Sequence, residues 1–196
     1  MKTKVLMGLA TFAMVVFLSS CGKVPQAEID AVNAAIEAAK TAEAAVYVPN
    51  ELAAVQDSVN AIMADIEAQK SKLFKKFGPA KEKLQAALTL ANQVAANAAT
   101  KKEEVKAQVT TLMTDIKAVV EENKTLITKA PKGKEGRAVL EQINAEMTTI
   151  ENSVTEAQSL FDNGSFMDAY NKVNAAMESA KNINTELKDA IAKVKR

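Results

Sequence analysis

Cys21 is the only cysteine in the chain, and histidine is absent altogether. Those two facts remove the commonest general base, the dithiol and most transition-metal ligand sets, leaving carboxylates, lysines and hydroxyls to do any chemistry. The carboxylate pairs Glu103-Glu104 and Glu121-Glu122 are adjacent in sequence. On a helix, neighbours one residue apart diverge, so neither pair converges on a substrate as two cooperating carboxyls must. No glycine-rich phosphate loop and no basic strip studded with aromatics is present, and neither a cofactor nor a metal has a motif to receive it. The composition points away from an enzyme. One cluster stands out: Lys70 to Lys83, KSKLFKKFGPAKEK, gathers six lysines and the rings Phe74 and Phe77 around a single turn.

The stretch ahead of Cys21 explains why a lone cysteine sits where it does. Lys2 and Lys4 give a basic start, Val5 to Leu18 is apolar but too short to span a bilayer comfortably, and Ser19 and Ser20 are small, which is the pattern of a secretory signal. Leu18-Ser19-Ser20-Cys21 resembles the lipobox of bacterial lipoproteins. The resemblance implies that residues 1–20 are a cleaved signal peptide, that Cys21 carries diacylglycerol on its sulfur, and that acyl chains of the palmitate kind also cap its new amine. Gly22, in place of an aspartate, resembles the residue found there in lipoproteins sorted to the periplasmic face of the outer membrane. Cleavage would take two of the 25 basic residues and none of the 24 acidic ones, leaving one more acid than base. That balance excludes a polyanion-binding excess, hence nucleic acid as a partner.

The rest of the chain exists to position these features, and it reads as helix. A tether, 21–26, is kept non-helical by Gly22 and Pro25. The first helix carries Ile29, Val32, Ile36, Ala39 and Val46 on one side and ends near Tyr47, since Pro49 disfavours helical geometry before it. A second helix opens at Pro49 with the heptad stripe Leu52, Val55, Val59, Ile62, Ile66 and Leu73. Phe77-Gly78-Pro79 closes it, with Gly78 suited to a left-handed cap. Pro79 to Thr128 then runs about fifty residues without an internal Gly or Pro. Its seam is Ala80, Leu84, Ala87, Ala91, Val94, Ala98, Lys101, Val105, Val109, Leu112, Ile116, Val119, Asn123 and Leu126, with a stutter at Val105–Val109. Thr100 and Glu103 match a capping box, so a break near Ala99 stays open beside the continuous helix. Lys129 to Gly136 reads as a loop. A fourth helix follows on Leu140, Ile143, Met147, Ile150, Val154, Ala157 and Phe161, ended by Asn163-Gly164-Ser165, and a fifth runs on Phe166, Ala169, Val173, Ala176, Ala180, Ile183, Leu187, Ala190 and Val194. With so few aromatics, alanine must fill much of the interior and bring helices close together.

A shift of 88 superposes the second helix's stripe on the fourth's, and a shift of 89 superposes the start of the long stretch on the last helix. The chain is therefore expected to be all-α, as two tandem three-helix bundles, 27–104 and 105–196, sharing one continuous helix. That architecture resembles the spectrin type and implies an elongated rod, with the Tyr47–Pro49 connection close to Phe161, Phe166 and Tyr170. The segment Lys40–Leu52, KTAEAAVYVPNEL, and the turn Gly164–Ala169 are similar to small alanine-rich periplasmic lipoproteins classed only as a domain of unknown function. The function expected is a non-enzymatic spacer or scaffold, held to the membrane by its lipid and presenting itself to an unidentified envelope protein or polymer, with no small-molecule substrate. The alternative is a holding chaperone. Counting helix directions from Cys21 delivers the lysine-rich turn back to the membrane surface, where Lys72, Phe74, Lys75, Lys76 and Phe77 are the expected contacts.

Overall fold

The structure, a computed structural model, describes residues 22–194, and the signal segment and Cys21 lie outside the described residues. Among the described residues every regular element is helical: α1 (Gln26–Thr41), α2 (Ala44–Tyr47), α3 (Pro49–Lys70), α4 (Gly78–Lys129), α5 (Lys134–Asp162) and α6 (Phe166–Val194). They form two compact units, one of residues 22–41 and 49–95, the other of 42–48 and 96–194.

In the first unit α1 packs on α3, and α4 is tied to both. Lys81 of α4 meets Glu28 of α1 at 2.8 Å, and Lys83 of α4 meets Asp65 of α3 at 2.8 Å. The buried set includes Ile29, Val32, Ile36 and Ala39 from α1, Leu52, Val55, Val59, Ile62 and Ile66 from α3, and Ala80, Leu84, Ala87, Ala91 and Val94 from α4. Alanine supplies three of these five α4 positions, which keeps the helices close, as the shortage of aromatics requires.

The first helix stops earlier than its composition suggests. Glu43 takes a left-handed backbone, φ 62°, and α2 restarts from its carbonyl, which accepts from the Val46 and Tyr47 amides at 2.9 and 3.1 Å. A left-handed non-glycine residue costs on the order of 1 kcal/mol, and the Glu43 carboxylate is held at 2.6 Å by Lys102 of α4. The break rotates the chain. Ala44 and Tyr47 turn inward, whereas Val46, expected on the seam, is 51% exposed.

In the second unit one hydrophobic cluster joins Tyr47, the later part of α4, α5 and α6. Phe161, Phe166 and Tyr170 pack against that same cluster, and the Met167 backbone of their turn hydrogen-bonds the Tyr47 phenol, so that turn lies beside Tyr47. The Phe161 and Phe166 rings lie 5.1 Å apart, and Lys106 and Lys102 stand 5.5 and 5.9 Å above Phe166. Lys124 bridges α4 to Glu151 of α5 at 2.9 Å, Lys188 of α6 reaches Glu122 at 2.9 Å, and Lys172 of α6 pairs with Glu156 of α5.

Helix α4 is unbroken at Ala99. Thr100 does not cap a new start; its Oγ1 donates back to the Ala96 carbonyl at 3.1 Å, the habit of a threonine inside a helix. Past the stutter the most buried positions are Val105, Val109, Met113, Ile116, Val120 and Asn123. Each four-residue step advances about 40° beyond a full turn. Two such steps, Val105 to Val109 to Met113, carry the seam one residue on. Met113 and Val120 are accordingly buried, while Leu112 and Val119 are only half-buried and Lys101 is exposed.

The α5–α6 turn is a Schellman cap: Gly164, φ 82°, donates to the Phe161 carbonyl at 2.9 Å, and Ser165 to Leu160 at 2.9 Å. The loop before α5 is shorter than expected. Helix α5 begins at Lys134, so Gly136 lies in its first turn, where a Cβ would come within 2.3 Å of the Pro131 carbonyl oxygen. Glycine there serves a close backbone approach, not a loop. The internal repeat persists in burial: Ala80, Leu84, Ala87, Ala91, Val94 and Ala98, and the residues 89 later, Ala169, Val173, Ala176, Ala180, Ile183 and Leu187, are all buried.

Candidate functional site

The lysine-rich turn is the most distinctive surface of the first unit. Helix α3 ends at Lys70, where Ser71 Oγ donates to the Ala68 carbonyl at 2.9 Å and the Lys72 amide to Gln69 at 3.2 Å. Continuing the helix would stack Lys72, Lys75 and Lys76 three and four apart, and like charges at those spacings oppose helix formation. Residues 71–77 therefore run as a loop. Helix α4 starts when the Phe77 carbonyl accepts the Lys81 amide at 2.9 Å. Gly78 is the first residue of α4 and does not have positive φ, so the expected left-handed cap is absent. Pro79 falls in the first turn, where its missing N–H leaves nothing unsatisfied.

This loop divides the two phenylalanines. Phe77 is 2% exposed and belongs to the interior, so it drops out of the expected surface set: the loop folds its ring inward before α4 begins. Phe74 is 80% exposed and Leu73 is 90% exposed. Leu73, expected as the last residue on the α3 stripe, lies beyond the end of that helix and has no seam to enter. The lysines divide as well. Lys70 pairs with Glu67 at 2.6 Å, while Lys81 and Lys83 hold Glu28 and Asp65. Lys72, Lys75 and Lys76 make no ion pair among the described residues, though Lys72 acts on Asp65 at longer range. A shallow groove of about 620 Å³ runs along the loop, lined by Gly22 and the stretch Leu73–Lys76 with Gly78 and Pro79. Gly22, the residue next to Cys21, thus shares a surface with the exposed Leu73 and Phe74.

The carboxylate pairs diverge as the spacing requires. Glu104 pairs with Lys101 at 3.0 Å and Glu103 with Lys106 at 3.8 Å; Glu121 meets Lys124 at 2.8 Å whereas Glu122 turns to Lys188 of α6. Among the described residues no group of three His, Cys, Asp or Glu side chains is placed to hold a metal ion, and no helix is long and apolar enough to cross a membrane.

Ionisation follows from these pairs. The Lys81 ammonium holds Glu28 below the usual carboxylate range, Lys83 does the same for Asp65, and Lys188 with Asn184 for Glu122. Hydrogen bonds to Glu121 and Glu151 push Lys124 up to about 12. Burial raises the Tyr47 phenol, against a hydrogen bond from the Met167 backbone. Lowered carboxyls contribute stability above about pH 4 and lose it as pH falls through their folded values. The raised Lys124 contributes below about pH 10 and loses it as pH rises toward about 12, and Tyr47, whose phenol burial raises, likewise loses stability as pH rises through its folded value. With no histidine to titrate between, the unfolding midpoint should be flat from about pH 6 to 9 and fall on both sides. Denaturation followed by circular dichroism checks this, and a midpoint drifting near neutrality would contradict it.

No family model, curated protein or solved structure matches the chain.

Proposed function

We propose that the chain is a bacterial lipoprotein anchored in the cell envelope through Cys21, whose helical units serve as a non-enzymatic spacer or scaffold. The observation that carries the reading is the motif Leu18-Ser19-Ser20-Cys21, holding the chain's only cysteine, followed after a few tether residues by α1. Gly22 favours the outer membrane's periplasmic face as the location. Within this reading the units are tandem three-helix bundles along α4, a rod of the spectrin kind; the unbroken α4 and the 89-residue repeat in burial support it.

A holding chaperone needs apolar surface open to its client, and here the seams are occupied. The stripe residues Val55, Val59, Ile62 and Ile66 of α3 and Val173, Ala176, Ala180 and Ile183 of α6 are buried within their units, which favours the spacer. The test is light scattering from an aggregating client protein with and without the non-acylated chain. A spacer leaves the scattering unchanged at near-stoichiometric ratios; suppression there would replace the spacer reading with the chaperone.

A further inference from the structure

We propose that the exposed Leu73–Phe74 tip, flanked by Lys72, Lys75 and Lys76, is a second, non-covalent membrane contact that seats on an anionic lipid surface. It deepens the lipoprotein reading and rests on it only for the choice of membrane; the loop's own attraction to lipid needs no acyl chain.

Three observations converge on a bilayer as the occupant. Two large apolar side chains, Leu73 and Phe74, stand adjacent on the loop, 90% and 80% exposed. Glu67, Asp65 and Glu28 are engaged by Lys70, Lys83 and Lys81, while Lys72, Lys75 and Lys76 make no ion pair among the described residues, so the tip carries an excess of positive charge with Glu82 the one unpaired acid in the Lys70–Lys83 stretch. Apolar side chains ringed by cations match the layering of an anionic headgroup region, with charge outside and hydrocarbon beneath. The third observation is Gly22, which lines the same groove as Leu73 and Phe74. Gly22 of the tether and the tip therefore share one surface. Once the anchor holds the chain there, the loop works at high effective concentration, and even a weak contact fixes the orientation of the first unit relative to the lipid.

The sequence contains no tryptophan, so Phe74→Trp creates a single tryptophan reporter at the tip, excited selectively over the two tyrosines. In a Cys21→Ser background, which keeps acyl chains out of the measurement, the reporter is titrated with phosphatidylcholine vesicles with and without phosphatidylglycerol, at low and high salt, and with brominated lipid as quencher. The expected result is a blue shift and quenching on the anionic vesicles, weakened by salt. Each lysine removed should cost about fivefold in partitioning, and Lys72→Glu, Lys75→Glu and Lys76→Glu together should reduce it more than about a hundredfold. Leu73→Ser, at unchanged charge, should lower partitioning and reduce quenching. Circular dichroism of each variant confirms that the helices remain. No shift on anionic vesicles, a shift indifferent to lipid charge and salt, or one that grows with protein concentration without vesicles, as a second copy would produce, overturns the proposal. Acylation of Cys21 is read separately by mass, so a failed anchor and a failed tip give different results.

Discussion

Replacing Asn123 with aspartate should destabilise the second unit by about 3 kcal/mol at neutral pH, and acid should restore much of the loss. Asn123 is fully buried on the α4 seam. Its Nδ2 donates to the Ala180 carbonyl of α6 at 2.8 Å and touches the Met147 sulfur of α5 at 3.7 Å, while its Oδ1 accepts from Asn184 at 2.7 Å. A carboxylate keeps the Asn184 bond but turns an oxygen toward the Ala180 carbonyl, placing two acceptors face to face and a charge in the interior. Lys124 and Lys188 give little help, because they are half-exposed and already paired with Glu121, Glu151 and Glu122. Desolvation raises the introduced carboxyl's pKa in the folded state above its unfolded value near about 4. The deficit relative to the parent is therefore complete above that raised value, and its charge-dependent part disappears as pH falls below about 4. Urea denaturation of Asn123→Asp and the parent at matched pH values measures the difference. A pH-independent deficit would mean that the Asn123 amide does not point at Ala180.

Ile116→Ala should cost about 3.5 kcal/mol, within the range for deleting a fully buried aliphatic side chain whose surroundings relax only in part. Ile116 is fully buried in the cluster that joins α4, α5 and α6. Several members of that cluster are alanines, including Ala157, Ala169, Ala176 and Ala180, whose short side chains have little freedom to fill a vacated space. The effect should be a lowered urea midpoint at unchanged slope. Lys117→Ala, one residue on and exposed, should stay within about 0.5 kcal/mol of the parent. Equal losses at both positions would contradict the seam.

The helices were legible because spacing alone records them: the α3, α5 and α6 stripes are buried nearly as read, and Gly164 marks its turn through a φ that other residues resist. What sequence concealed were the places where local order yields to a tertiary partner. Nothing in TAEAAVY announces a left-handed Glu43, whose carboxylate answers to Lys102, distant in the chain. Nor does Gly136 reveal that a proline carbonyl presses on it. In the candidate site the lysines were plain, but the heptad count carried Leu73 one slot beyond the real end of α3, and Phe74 and Phe77 look equivalent until the loop turns one inward. Asn123 could be placed on the seam by spacing, whereas its bond to Ala180 required knowing which helix lay opposite.

The most direct test of the account is the intact mass of the chain purified from native membranes in detergent, with its amino-terminal peptide sequenced. The account predicts a chain beginning at Cys21 and heavier than its amino-acid mass by a diacylglycerol and a third acyl group, both lost in Cys21→Ala. A chain that begins elsewhere, or that carries an unmodified Cys21, would contradict it.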